Sequence, residues 1–183
     1  MKKVLIILLG VVVVIVLAFF GLRGYTKRYS PDAMASFNKD GLDIKVKYCQ
    51  PSKKNRVIFG GIVPYGKVWR TGANEITEIT FKQDVNIANK TVKAGSYALF
   101  TIPNKEDWTL ILNSGNRTMF GTRNWGTQYK QENDVHRLKV KKQDTESETE
   151  QFTIKIQDDQ NGKGAVMYLM WDQIQVNVPI KKN

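Results

Sequence analysis

Few residues in this chain are of the kinds that do chemistry, and most of them fall between Arg56 and Phe81, RVIFGGIVPYGKVWRTGANEITEITF. Arg70 offers a planar cation able to hold a carboxylate or phosphate through two parallel hydrogen bonds. Trp69 sets a large ring beside it, and Asn74 and Glu75 add acceptors a few residues on. Glu75 would serve as a general acid or base if burial raised its pKa, but such chemistry usually needs a second titratable group. Glu78 and Asp84 are the neighbours on offer. On a strand, positions 75 and 78 face opposite ways, so they make no carboxylate pair. Against the functional reading of Arg70 and Glu75 stands a structural one. A guanidinium withdrawn from water needs a partner, and Glu75 or another internal carboxylate would supply it and fix the turn. That structural pairing is the expectation for both residues.

The remaining chemistry is sparse. His136 follows Asp134 by two residues, so an acid–imidazole pair on one strand face is conceivable. A triad needs a nucleophile as well, and no serine sits in a Gly-x-Ser-x-Gly turn. Cys49, the single cysteine, reads as a small buried residue, and it cannot form an internal disulfide. With one cysteine and one histidine a zinc site is not expected, and no acidic loop has calcium-hand spacing. Trp108 and Trp171 fit strand positions and are expected in the core. Trp125 and Tyr129 lie beside Arg117, Phe120 and Arg123 in a long Gly- and Asn-rich stretch, residues 114–134. Long loops on a β scaffold often carry binding function.

The elements that must position these residues are mostly strands. Leu42, Ile44, Val46 and Tyr48 alternate with polar residues, the mark of a strand with one buried face. The same period recurs at 77–82, 85–87, 97–102, 108–113, 136–140, 152–156, 166–170 and 174–180. Turns are read at residues 88–90, 94–95, 103–104 and from Asn161 to Gly164, and KKQDTESETE at 141–150 reads as an exposed loop. Many short strands between turns predict an all-β fold, an antiparallel β-sandwich of about nine strands, with a jelly roll as one arrangement.

Ahead of these strands lies an uncharged apolar run, Val4 to Leu22, behind Lys2 and Lys3. About 20 such residues span a bilayer as a helix, whereas a cleaved signal peptide carries a run of only about 7–15. An uncleaved signal anchor over residues 1–22 is therefore expected, then a tether over 23–40, then the β-domain over 41–181. The basic flanks nearly balance across the membrane. A short N-terminus before a globular domain reads most simply as N-in, with the domain outside the cytoplasm. The formal net charge is +11, but beyond the anchor basic and acidic residues alternate. That predicts a solvated basic surface and no nucleic-acid partner.

Several motifs resemble one bacterial family. Tyr48-Cys49-Gln50-Pro51-Ser52, Arg56-Val57-Ile58-Phe59-Gly60, Val63-Pro64-Tyr65-Gly66 and Val68-Trp69-Arg70-Thr71-Gly72-Ala73-Asn74-Glu75 are similar to domain-of-unknown-function family 2911. Ala94-Gly95-Ser96-Tyr97-Ala98-Leu99-Phe100-Thr101-Ile102-Pro103 and Trp108-Thr109 continue the pattern, so the resemblance covers about residues 30–181. It implies an exported or envelope protein, on the periplasmic side of the inner membrane, and carries no activity with it. Where many relatives have Gln-Trp-Gly, this chain has Asn124-Trp125-Gly126, followed by Tyr129. The long anchor is a second departure.

The combined expectation is a membrane-anchored, non-catalytic module that binds an envelope component: a glycan, a peptide or a protein. Trp69, Arg70, Asn74, Glu75, Trp125 and Tyr129 would form its site, with no cofactor and no metal. A hydrolase using Glu75 or His136 is the competing expectation, and a purely structural envelope protein the third. Burial discriminates among them, because a functional Arg70 opens to a pocket and a structural one has every donor paired.

Overall fold

The computed structural model describes residues 2–115, 117–118, 121, 123–160, 162 and 164–183. Phe120 of the long loop and Asn161 of the expected turn lie outside them. The chain opens with one helix, α1 (Lys2–Tyr29), none of whose residues is buried. It is long and apolar enough to cross a membrane. Nothing in its sequence interrupts it, since proline is absent until Pro31.

Nine strands follow among the described residues: β1 (Asp32–Lys39), β2 (Leu42–Cys49), β3 (Thr77–Phe81), β4 (Val85–Ile87), β5 (Lys90–Val92), β6 (Gly95–Pro103), β7 (Asp107–Asn113), β8 (Asp134–Asp158) and β9 (Ala165–Lys182). Their hydrogen-bonded order is β1-β2-β3-β6-β7-β8-β9-β4-β5, and every pairing is antiparallel. The expected antiparallel β architecture is thus what forms. β8 joins its two parts. It pairs with β7 from Asp134 to Lys141, then with β9 from Lys142 onward.

Three local expectations are corrected. Residues 23–40 are not a tether: the helix runs on through Tyr29, and β1 occupies most of the rest. β1 hides its period behind small side chains, with Ala33, Ala35 and Phe37 packing inward. The charged run 141–150 is not a loop but the middle of β8, where it stays largely exposed. Charged residues suit a strand wherever one face meets water, and the pairing with β9 shifts register between Asp144 and Thr149 and again between Thr149 and Thr153. The strands expected at 136–140 and 152–156 are therefore one, as are those at 166–170 and 174–180.

Alternating residues from both parts of the sheet fill one core, including Ile44, Val46, Leu110, Ile154, Leu169 and Val178. Tyr48 of β2 meets the second half of β8: its hydroxyl accepts the Ile154 N–H at 3.0 Å, and its ring lies 5.8 Å from Phe152. Trp108 and Trp171 are core residues as expected, 1% and 2% exposed.

Between β2 and β3 the chain runs as a long irregular segment pinned at single points. Trp69 exchanges backbone hydrogen bonds with Thr101 of β6 at 2.7 and 2.9 Å. Glu75 and Trp125 form an isolated bridge, flanked by Ile76 N–H to Asn124 O at 3.0 Å and Gly126 N–H to Asn74 O at 3.0 Å. These bonds bring the segment 50–76 and the long loop 114–134 together.

Candidate functional site

The turn from Trp69 to Glu75 is conformationally expensive. Thr71 and Asn74 both have positive φ, at 54° and 56°. For a β-branched threonine this is a costly geometry that must be held by its surroundings. Here the Thr77 hydroxyl donates to Thr71 O at 2.6 Å, the Thr71 and Thr101 hydroxyls lie 3.1 Å apart, and Trp69 Nε1 donates to Gly72 O at 3.1 Å. The outcome of this strain is that consecutive side chains serve two different environments.

Glu75 faces the end of α1. It is 4% exposed. Lys27 Nζ donates to its Oε2 at 2.7 Å, and Arg23 Nη1 lies 2.6 Å from Oε1. The Arg23 contact is a charge pairing without hydrogen-bond geometry, so Oε1 accepts no directed bond. Lys27 Nζ also lies 2.7 Å from Asp32 Oδ1 and 3.3 Å from Cys49 Sγ. Burial alone would raise the Glu75 pKa. The hydrogen bond from Lys27, its own backbone N–H, the Lys27 charge and the Cys49 thiol outweigh that and hold it below the ordinary value. Burial pushes the Cys49 thiol up to about 11, which keeps it protonated and unreactive at neutral pH.

The ligand atoms of Asp32, Cys49 and Glu75 lie within 4.8 Å of one another, a donor set that would suit a cation. The Lys27 ammonium stands among them and already supplies that charge. Sequence reasoning missed the cluster because its members are distant in the chain and one belongs to a segment read as a tether.

The expected Arg70–Glu75 pair does not form. Arg70 Nη1 donates to the Asn74 carbonyl at 3.0 Å, and among the described residues no carboxylate pairs with the guanidinium. Arg70 is half-buried, and that desolvation lowers its pKa. Its stem lies against Gly126, where a Cβ would sit 2.9 Å from Arg70 Nε and closer still to Cδ. Only glycine leaves room for this approach.

Arg70 opens into a cavity of about 520 Å³ together with Trp69, Asn74 and Trp125. Four of the six expected site residues therefore converge. Lys54 and Arg56 join them on the wall, as do Tyr29 and Ser30 at the end of α1. Lys54 Nζ sits 3.9 Å from the centre of the Tyr29 ring, and Arg56 donates to the Ser52 and Lys53 carbonyls at 2.6 and 2.9 Å. No acidic side chain lines this cavity among the described residues. Trp171 backs it, stacked on Trp69 at 5.7 Å and 18°.

The other two candidates sit elsewhere. Glu75 lines neither this cavity nor its neighbour. Tyr129 lines the neighbour, about 480 Å³, which shares Arg70 and Trp69 with the first cavity. Its hydroxyl is held internally, 2.7 Å from both Asp134 Oδ2 and Arg137 Nη2. Asp134 is thereby committed to Tyr129, Asn113 and Arg137 rather than to His136. Glu78 is likewise buried and meets Arg117 Nη2 at 2.9 Å. Lys54 and Arg56 escaped sequence reasoning because their types are common on any basic surface. Only their convergence on one wall distinguishes them.

Neither the curated proteins nor the solved structures include a match to this chain. Residues 30–180 match the family described as "Protein of unknown function (DUF2911)". That span covers both the strained turn and the cavity wall contributed by the long loop, and the chain belongs to this family.

Proposed function

We propose that the chain is a membrane-anchored binding module whose domain lies outside the cytoplasm and takes an anionic ligand with a ring or apolar part. The observation that carries this reading is Arg70: a half-buried guanidinium with no carboxylate partner among the described residues, opening into the cavity. A desolvated cation without a counter-charge is costly to keep. A phosphate or carboxylate ligand would offset that cost through the two-bond fork a guanidinium presents. Lys54 and Arg56 add positive potential, and Trp69 and Trp125 provide faces for the rest of the ligand.

A hydrolase using Glu75 or His136 is less well supported. Glu75 is shielded from the cavity and held ionised by Lys27, which suits a structural charge better than a proton donor. His136 lacks the Asp134 contact that an acid–imidazole pair requires.

The test is calorimetric titration of the full chain in neutral detergent with N-acetylglucosamine 1-phosphate and with N-acetylglucosamine. Binding of the phosphorylated sugar alone, lost in Arg70→Met, is the expected result. Equal binding of both sugars, or binding that survives Arg70→Met, would count against the reading.

A further inference from the structure

The end of α1 sets the level at which the cavity lies. Arg23 directly follows Leu22, the last residue of the apolar run, and it touches Glu75 at 2.6 Å. Glu75 is bridged to Trp125, which is 43% exposed and lines the cavity. Tyr29 and Ser30 line the same cavity, and Asn74 Nδ2 donates to Ser30 O at 3.4 Å. At 1.5 Å rise per residue the wall at Tyr29 stands only about 10 Å beyond Leu22. The headgroup layer on each side of a bilayer is roughly 5–8 Å deep, so the wall at Tyr29 lies at its outer edge and the Arg23–Glu75 contact lies within it. With Val4 to Leu22 in the hydrocarbon, the domain therefore cannot stand off from the membrane. Lys27, Arg23 and Lys54 fasten it to the helix end.

The surface around the cavity has the composition of an interfacial surface. Val57 and Ile62 are 71% and 48% exposed, and Tyr65 and Val68 are also exposed, within the same segment as Lys54, Arg56 and Lys67. Apolar and aromatic side chains among basic ones are what a headgroup layer with anionic lipid favours.

Resting on the anionic-ligand reading above and on retention of the helix, we propose that the cavity is the seat of an anionic phospholipid headgroup from the bilayer that holds α1. The lipid phosphate pairs with Arg70 and meets the field of Arg56 and Lys54. Trp125 and Ile62, lining residues that are 43% and 48% exposed, flank the glycerol and the first acyl carbons. The shared chemistry is a phosphate ester, and the lipid is its source because the helix presents the cavity to headgroups at very high local concentration.

The full chain, reconstituted in nanodiscs of equal phosphatidylglycerol and phosphatidylcholine, can be released for native mass spectrometry and its retained lipid counted. Phosphatidylglycerol should be retained over phosphatidylcholine at least about tenfold: both carry the phosphate, but only phosphatidylcholine brings a quaternary ammonium that cancels its charge and is repelled by the basic wall. The preference should vanish in Arg70→Met and in the surface double variant Lys54→Met/Arg56→Met, whose residues are exposed and whose fold is checked by near-ultraviolet dichroism. Lys155→Met, exposed on β8, should leave it unchanged. A preference that persists in both cavity variants would reduce it to the general pull of a basic chain and overturn the proposal. A second arm titrates glycerol 1-phosphate into delipidated protein. Arg70-dependent binding there, without lipid preference, would overturn the lipid source and leave the anionic pocket standing. Absence of both would overturn both.

Discussion

Glu75 and Arg70 are five residues apart in sequence and live in opposite electrostatic situations. Around Glu75 the charges close on one another: Arg23 and Lys27 from α1, Asp32 from β1 and the Cys49 thiol. Around Arg70 they do not close, for Arg56 and Lys54 repeat its sign and no acid lines the cavity among the described residues. A closed cluster is a joint, since the Arg23 and Lys27 cations and the Glu75 carboxylate lower the cost of burying one another. An open one leaves a cost that only a ligand can offset. The strained turn at Thr71 and Asn74 separates the two by sending neighbouring side chains to different sides.

The sharpest way to break this comparison is stability. Glu75→Gln should cost about 3 kcal/mol or somewhat more in urea unfolding of the full chain in detergent, toward the low end for breaking a buried pair. Lys27 keeps Asp32, and Arg23 is nearly half exposed, which moderates the effect. A loss below about 0.5 kcal/mol would mean that the helix end is not joined to the domain through Glu75.

The pH dependence follows from the same residue. The folded Glu75 pKa lies below its ordinary 4.5. Its contribution is therefore complete above that value and is lost as pH falls through the folded pKa. The gap between wild type and Glu75→Gln should be constant near neutral pH and narrow only in acid below pH 4.5. A gap that widened on acidification would contradict the ionised, paired state.

Gly126→Ala should cost about 1–3 kcal/mol, because the new methyl group overlaps the Arg70 stem and either side chain or loop must move. It should also weaken binding of the phosphorylated sugar, which makes it the variant that touches both stability and the cavity. If Gly126→Ala were neutral in both, Arg70 would not be positioned by that contact.

Arg70→Met should be the mildest, within about 1 kcal/mol. It gives up one hydrogen bond to Asn74 but also removes an uncompensated, half-buried charge. A large loss of stability here would return Arg70 to the architectural role that Glu75 holds.

How much of this was legible in the chain depends on the distance over which each signal acts. The antiparallel strands were legible because alternation is local: Leu42 to Tyr48 declares its buried face within seven residues. β1 was not, because alanines carry a weak hydrophobic signal. The middle of β8 was not, because a run of charges looks the same in a loop and on a solvated strand. Trp69, Arg70, Asn74 and Trp125 were legible as a set worth watching, since rare side chains crowd two stretches. Tyr129 belonged to a neighbouring network whose members, Asp134 and Arg137, gave no hint of it in order along the chain.

The sequence by itself determined that an apolar helix precedes a β domain and that Arg70 and Glu75 are special, because periodicity and residue type act through covalent neighbours. Which charge meets which was decided only in three dimensions. Arg70 and Glu75 sit close enough in the chain to look like partners. Yet two positive-φ residues turn them apart, and the ion pair goes instead to Lys27 and Arg23, some fifty residues upstream. Ion pairing depends on distance through space and on burial, and neither is written in the order of the residues.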